Sequence, residues 1–303
     1  MKQLQGSSET IRETNSQNFN HYLQFGTPAH KPKPDIQFLE WFIGFFEAEG
    51  SFLKWPQNQS QTLRFGIEIT QKDPKLMYKI RTKLGFGRVT VWTRKTAHNQ
   101  YARYYIHDAK NLERIIFLLN GNLITEKKRN QFQTWLILMN HQRKKQSKIL
   151  YPIMNSQINL SFNETAWLSG FLEGDGGFWV SPNSIVRTNK DLSQTFSIRM
   201  KFYLTQDELL IVKLVAEFFG FFETNISQIN NGHNDKLYYR FETNSLEVHL
   251  KLLDYLTKFP FLGKRSIQLK RWSRLVNYRI YKYEVTKKSV QKVVRLIGET
   301  KKD

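Results

Sequence analysis

Two apolar stretches set the pattern of the chain. Phe42-Ile43-Gly44-Phe45-Phe46-Glu47-Ala48-Glu49-Gly50 runs into Ser51-Phe52, and Leu168-Ser169-Gly170-Phe171-Leu172-Glu173-Gly174-Asp175-Gly176 runs into Gly177-Phe178. Each opens on a helical apolar period, carries small residues four apart and closes on an acid and a glycine. Small residues at i and i+4 share one helical face, and a bare face lets a second backbone approach. The two stretches are therefore expected to pack on each other through Gly44, Ala48, Gly170 and Gly174. Asp35 suits the N-cap of the first helix, and Gly50 and Gly176 suit a left-handed residue that ends one.

The rest of the pattern repeats around these stretches. Ser51 to Trp55 and Leu63 to Thr70 alternate like half-buried strands, with Leu63, Phe65, Ile67 and Ile69 toward the core. Asp73-Pro74 opens an amphipathic helix that Gly85 stops. Arg88 to Lys95 and Tyr101 to Ile106 predict a hairpin with its tip at Ala97 to Gln100, followed by helices at Asn111 to Leu119 and Lys127 to Asn140. After the second stretch come a strand to Val180, a strand Thr195 to Leu204 and a helix Glu208 to Phe219. Then follow a hairpin, Thr224 to Ile229 with Lys236 to Phe241, and helices Leu246 to Lys258 and Lys264 to Tyr278. Glu49 and Asp175 stand 126 residues apart, Gly85 and Gly220 135 apart. The difference puts a longer first hairpin tip in the second half, around Asn183 to Ser193, and brings Gln71 onto Gln206. An α+β chain with two copies of αββαββα is expected, its period too long for a solenoid. The domains read as a flexible arm 1–35, a first domain 36–142, a linker 143–163, a second domain 164–280 and a basic tail 281–303. That tail is expected to form a helix on the outside of the second half.

Composition narrows the function. The formal charge is +20 and the pI about 9.9, a field that favours polyanions, nucleic acid first. No apolar run reaches the length of a membrane span and no secretory pattern opens the chain, so a soluble protein is expected. Zero cysteines exclude disulfides, thiolate zinc sites and cysteine nucleophiles. The seven histidines show no metal-binding spacing, so any metal is held by oxygen, which points to Mg²⁺ or a similar hard cation.

The acids carry the chemistry. Glu49 and Asp175 fall at helix C-termini, where the macrodipole disfavours a carboxylate, and pairing the two ends adds like-charge repulsion. So unfavourable an arrangement points to a bound cation. Glu47 and Glu173 lie about 200° around the helix and cannot aim at the same point, which makes them local helix-end groups.

Both stretches resemble the LAGLIDADG motif of homing endonucleases, in the single-chain form that carries two copies, and the resemblance covers residues 36 to 280. It implies a saddle of two antiparallel sheets and metal-dependent hydrolysis of DNA at a long asymmetric site, by a monomer, in support of intron mobility. Mg²⁺ is the implied ion, with Mn²⁺ able to substitute and Ca²⁺ supporting binding without cleavage. Glu49 and Asp175 would hold the metal together with the backbone carbonyls of Ala48 and Gly174. Gln71, Gln206 and Lys110 would order water; the second half has Asn244-Ser245-Leu246 where a lysine is expected, which leaves Lys264 as a substitute. DNA reading would fall to the outward strand faces, since an antiparallel sheet fits the major groove. In the first half these carry Ser51, Leu53, Trp55, Gln57, Thr62, Arg64, Glu68, Arg88, Thr90, Trp92, Arg94, Arg103 and Tyr105. In the second they carry Trp179, Ser181, Arg199, Lys201, Tyr203, Glu223, Asn225, Ser227, Lys236, Tyr238 and Arg240. The alternative is an intron maturase that binds intron RNA, with or without cleavage; a plain architectural DNA binder would not need the acids. The family and the Phe-, Asn-, Ile- and Lys-rich composition both imply a mitochondrial or chloroplast setting.

Overall fold

A computed structural model of the chain describes residues 17–57, 62–93, 100–154, 161–183, 185–230, 236–281 and 283–300, with residues 299 and 300 described by backbone alone. The first half runs α1 (Ile36–Glu49), β1 (Gly50–Pro56), β2 (Leu63–Gln71), α2 (Pro74–Leu84), β3 (Arg88–Thr93), β4 (Gln100–Ile106), α3 (Ala109–Leu119) and α4 (Glu126–Lys145). The second runs α5 (Trp167–Asp175), β5 (Gly176–Val180), β6 (Val186–Thr188), β7 (Gln194–Phe196), β8 (Met200–Gln206) and α6 (Leu209–Phe218). A 3₁₀ turn, β9 (Ile226–Asn230), β10 (Leu237–Thr243), α7 (Leu246–Lys258), α8 (Arg265–Ile280) and α9 (Lys287–Thr300) complete it. The two four-stranded antiparallel sheets share one order, β1-β2-β4-β3 and β5-β8-β10-β9, so the expected repeat is present.

Local signals place these elements as the sequence predicts. Asp35 caps α1 by accepting from the Phe38 amide at 2.7 Å. Asp73 accepts from Leu76 N at the start of α2, and Gly85 ends that helix at φ 81°. Along β2, Phe65, Ile67 and Ile69 are buried, and Trp135 of α4 packs on Phe65 and Phe52. In the second half, Trp272 of α8 packs on Phe178 in the same way. Among the described residues no helix is long and apolar enough to cross a membrane.

Four expectations need correction. Gly50 and Gly176 are extended, φ −77° and −67°, rather than left-handed. Glycine is required there because a Cβ would strike Phe46 at the first position and the Leu172 carbonyl at the second. The strand expected over Thr195 to Leu204 is split: β6 and β7 pair as a separate ribbon, and β8 starts at Met200. Part of the arm is built into the fold: a π-helical turn at Tyr22–Gly26 rests on α3, with Phe19 and Tyr22 buried. The basic opening of the linker is the last turn of α4, and Tyr151 folds back to exchange hydrogen bonds with Asn140. The tail does form a helix: α9 buries Val293, Leu296 and Ile297 and packs against α8.

Candidate active site

The centre of the molecule is the crossing of α1 and α5, the most extensive helix pairing in the fold. A Cβ on Gly44 would collide with the Trp167 carbonyl, and one on Gly170 with the Trp41 carbonyl, the same contact seen from each half. Gly174 sits against the Ala48 methyl in turn. The small-residue faces therefore meet, and the two helices end side by side.

That meeting puts Glu49 and Asp175 together. A side chain on Gly174 would touch the Glu49 carboxylate, and the Asp175 charge acts directly on Glu49. Burial pushes both carboxyls above the usual carboxylate range, and for Glu49 the neighbouring Asp175 adds to it. Gln71 hydrogen-bonds Glu49, and Gln206 Nε2 donates to Asp175 Oδ2 at 2.7 Å, so the two glutamines play matching parts.

Two clefts flank the acids, and each is built from both halves. One, of about 370 Å³, is lined by Gln71, Tyr101 and Gly174 together with Lys264 and Arg265 at the start of α8. The other, of about 60 Å³, is lined by Ala48 and Gln206 together with Lys127 and Lys128 at the start of α4. Lys128 Nζ donates to the Gly50 carbonyl. Arg265 Nη1 donates to the carbonyls of Leu172, Glu173 and Gly174 at 2.7, 3.0 and 3.2 Å. Each cation thus sits on the carbonyl end of its own half's motif helix, where the macrodipole favours positive charge.

Of the expected basic residues, Lys264 lines the first cleft, but Lys110 joins none of these contacts. It is exposed in the first turn of α3, which begins beyond Ile106; Ile106 pairs with Ile67, about 13 Å along β2 from Gln71. Lys127, Lys128 and Arg265 line the clefts where it does not. Glu47 and Glu173 are buried and turned to other partners, and burial pushes each up to about 7. Among the described residues no group of three or more His, Cys, Asp or Glu side chains is placed to hold a metal. The acids at the crossing offer two carboxylates as oxygen donors. That suits a hard cation that keeps much of its water.

The expected reading residues mostly share the sheet faces turned from the core. Ser51, Leu53 and Trp55 pair with Glu68, Gly66 and Arg64, and Gln57 N bonds the Thr62 carbonyl to extend that ladder. Arg88, Thr90 and Trp92 pair with Tyr105, Arg103 and Tyr101; Trp92 stacks on Tyr101, a residue the pattern did not single out. Trp179 pairs with Lys201, Ser227 with Arg240, and Arg240 lies over the Tyr203 ring. Tyr238, exposed Arg199 and the Arg103–Glu68 pair at 3.2 Å lie on the same surfaces. Arg94 lies outside the described residues. Four residues do not fit. Ser181 is buried, with 9% exposed. Glu223 and Asn225 lie in the 3₁₀ turn, paired with Lys213 and the Phe222 amide. Lys236 precedes β10 and pairs with Asp207 at 2.5 Å.

A family model described as LAGLIDADG endonuclease matches residues 42–139 and 168–276, more than half of the chain. A Neurospora crassa protein named probable intron-encoded endonuclease 4 is 28% identical over 254 residues, 83% of this chain but 41% of that protein. A Saccharomyces cerevisiae protein named intron-encoded RNA maturase bI4 is 24% identical over 88% of this chain and 38% of its own length. The chain thus spans less than half of either relative. The solved LAGLIDADG meganuclease I-AabMI, bound to uncleaved DNA, superposes with a TM-score of 0.65 at 18% identity, covering 88% of this chain and 99% of that one.

Proposed function

The chain belongs to the LAGLIDADG endonuclease family, and from that premise we propose that it is a site-specific, divalent-metal-dependent DNA endonuclease acting as a monomer. The observation that carries the reading is the pair Glu49 and Asp175, half-enclosed side by side, each bonded to a glutamine and flanked by cations from both halves. A divalent cation bound there, which we take to be Mg²⁺, supplies an activated water and a Lewis acid for phosphodiester hydrolysis. Glu49 and Asp175 would hold it, with the Ala48 and Gly174 carbonyls as the further oxygen donors the family resemblance implies. Gln71 and Gln206 orient water at the acids, and Lys127, Lys128, Lys264 and Arg265 offset the charge of a phosphate drawn into either cleft. The outer sheet faces, from Ser51 to Tyr105 and from Trp179 to Arg240, read the duplex, each half a different half-site. The intron-encoded relatives and the composition support an origin in an organellar intron. The test is a plasmid carrying the joined exon ends that flank the gene. It should be cut with Mg²⁺ or Mn²⁺ and bound but left intact with Ca²⁺; an uncut plasmid under Mg²⁺ contradicts the reading.

A second reading, RNA binding as in a maturase, draws on a separate surface. Helix α8 contains Arg265, Lys270, Arg271, Arg274 and Arg279 and no acid. Lys270 and Arg274 are exposed about 180° from buried Trp272 and Val276, on the helix side turned from the sheet. Exposed Lys288 and Lys292 of α9 and Tyr281 and Tyr283 extend the surface with charge and stacking rings. If it binds RNA, reversing Lys270, Arg274, Lys288 and Lys292 to Glu weakens binding of the intron transcript by roughly tenfold or more and leaves DNA cleavage unchanged. Equal loss of both, measured by gel shift and plasmid cutting, counts against a separate RNA surface.

A further inference from the structure

Each half contains a buried carboxylate that the chemistry above leaves unused. Glu47 Oε1 accepts from the Ile124 and Thr125 amides at 2.7 and 2.6 Å and from Thr125 Oγ1 at 2.9 Å, and its Oε2 accepts from Trp167 Nε1 at 2.5 Å. Glu173 repeats this in the other half. It accepts from the Leu262 and Gly263 amides at 2.7 and 2.6 Å and from Trp41 Nε1 at 3.0 Å. Each carboxylate therefore holds the segment leading into its own half's α4 or α8, and reaches across to an indole on the other half's motif helix.

A second pair of acids crosses between halves at the same turns. Glu208, which flanks α6, accepts from Glu126 N and Lys127 N at 2.9 and 3.1 Å; Asp73, which caps α2, accepts from Lys264 N at 2.7 Å. The turn bearing Lys127 and Lys128 and the turn bearing Lys264 and Arg265 are thus each held by one acid from each half. These two turns form the cationic walls of the two clefts.

We propose that Glu47 and Glu173 are positioning residues that set cleavage of the two DNA strands separately, Glu47 through the Lys127–Lys128 turn and Glu173 through the Lys264–Arg265 turn. The inference rests on the function proposed above. Every partner of either carboxylate is a donor, so a glutamine in its place must turn an N–H₂ toward at least one N–H and release part of the turn. A cation displaced by an ångström at one cleft slows that cleft's strand by on the order of 10- to 100-fold and leaves the other cleft as it was.

The experiment follows both strands of an end-labelled target under single-turnover conditions with Mg²⁺, for wild type, Glu47→Gln and Glu173→Gln. The two variants should accumulate nicked DNA with opposite strands intact, at target affinity within about threefold of wild type. Trp167→Phe and Trp41→Phe keep the ring and remove the N–H. Each should reproduce the bias of the glutamate it serves more weakly, and these milder variants carry the test if a glutamine variant does not fold. Hydrogen exchange gives a readout independent of cleavage: Glu47→Gln should expose the Ile124 and Thr125 amides while leaving Leu262 and Gly263 protected, and Glu173→Gln the reverse. Equal slowing of both strands, the same strand spared in both variants, or global loss of protection overturns the proposal. A wild type that cuts neither strand contradicts the endonuclease reading instead, and the exchange pattern still decides whether the braces act separately.

Discussion

Glu49→Gln and Asp175→Asn should each lower DNA cleavage by roughly 10³-fold, the rate equivalent of the several kcal/mol that charge at a metal centre contributes, while target binding persists. The two acids are the charged oxygen donors at the helix crossing, and each already has a glutamine and a cation arranged around it. The same substitutions should stabilise the metal-free protein. The folded state holds both carboxyls above their ordinary range, so ionising them opposes folding. Stability linked to such a group is intact below its unfolded-state value and is lost as pH rises through the folded-state value. The variants should therefore melt higher than wild type at neutral pH, by roughly 2–4 °C if about 1 kcal/mol is recovered, and the gap should close in acid. Saturating Mg²⁺ should close it as well, by stabilising only the wild type. Thermal melts across pH, with and without Mg²⁺, beside a cleavage assay, separate these outcomes. Variants that cut at the wild-type rate place the chemistry elsewhere.

Gly44→Ala should destabilise the chain by about 3 kcal/mol, the upper range for an overpacked core, although alanine is the better helix former. A Cβ there meets the Trp167 carbonyl, a backbone atom that cannot rotate aside, and Gly170→Ala meets the Trp41 carbonyl in the mirror position. Separating α1 from α5 also parts Glu49 from Asp175, so cleavage should fall with stability. Gly298 on α9 provides the control: among the described residues no atom lies within 4 Å of a Cβ added there, so Gly298→Ala should raise stability by up to about 1 kcal/mol. Urea denaturation of the three variants distinguishes a tight crossing from a general intolerance of alanine. A neutral Gly44→Ala means that the helices do not meet closely.

What the sequence made legible was whatever has a local period or a local cap. The two motif helices, the alternation in β2, the Asp35 cap, the Asp73-Pro74 start of α2 and the Gly85 stop all follow from neighbouring residues, and they are where expected. The pairing of Glu49 with Asp175 and the matching of Gln71 with Gln206 were legible for another reason: the chain repeats itself, so one half annotates the other. The left-handed reading of Gly50 and Gly176 failed because a close approach, rather than a positive φ, excludes a side chain there. Lys110 was misplaced because its distance from the acids depends on where β4 ends against β2. Lys128 and Arg265, at the starts of α4 and α8, reach the motif helices through side-chain hydrogen bonds that span 78 to 93 residues, which no window along the chain contains. One signal for the crossed braces was available: Trp41 and Trp167 stand 126 residues apart, the same interval as Glu47 and Glu173.

The central claim is that Glu49 and Asp175 together form one metal-bearing centre. Its most direct measurement is anomalous diffraction from crystals of the protein with its target duplex and Mn²⁺. The account predicts anomalous density within about 2.2 Å of oxygens from both Glu49 and Asp175, at the ends of α1 and α5 and beside the scissile phosphates. Density bound to neither acid, or two carboxylates facing an ordered metal-free solvent while the DNA is cut elsewhere, would contradict it.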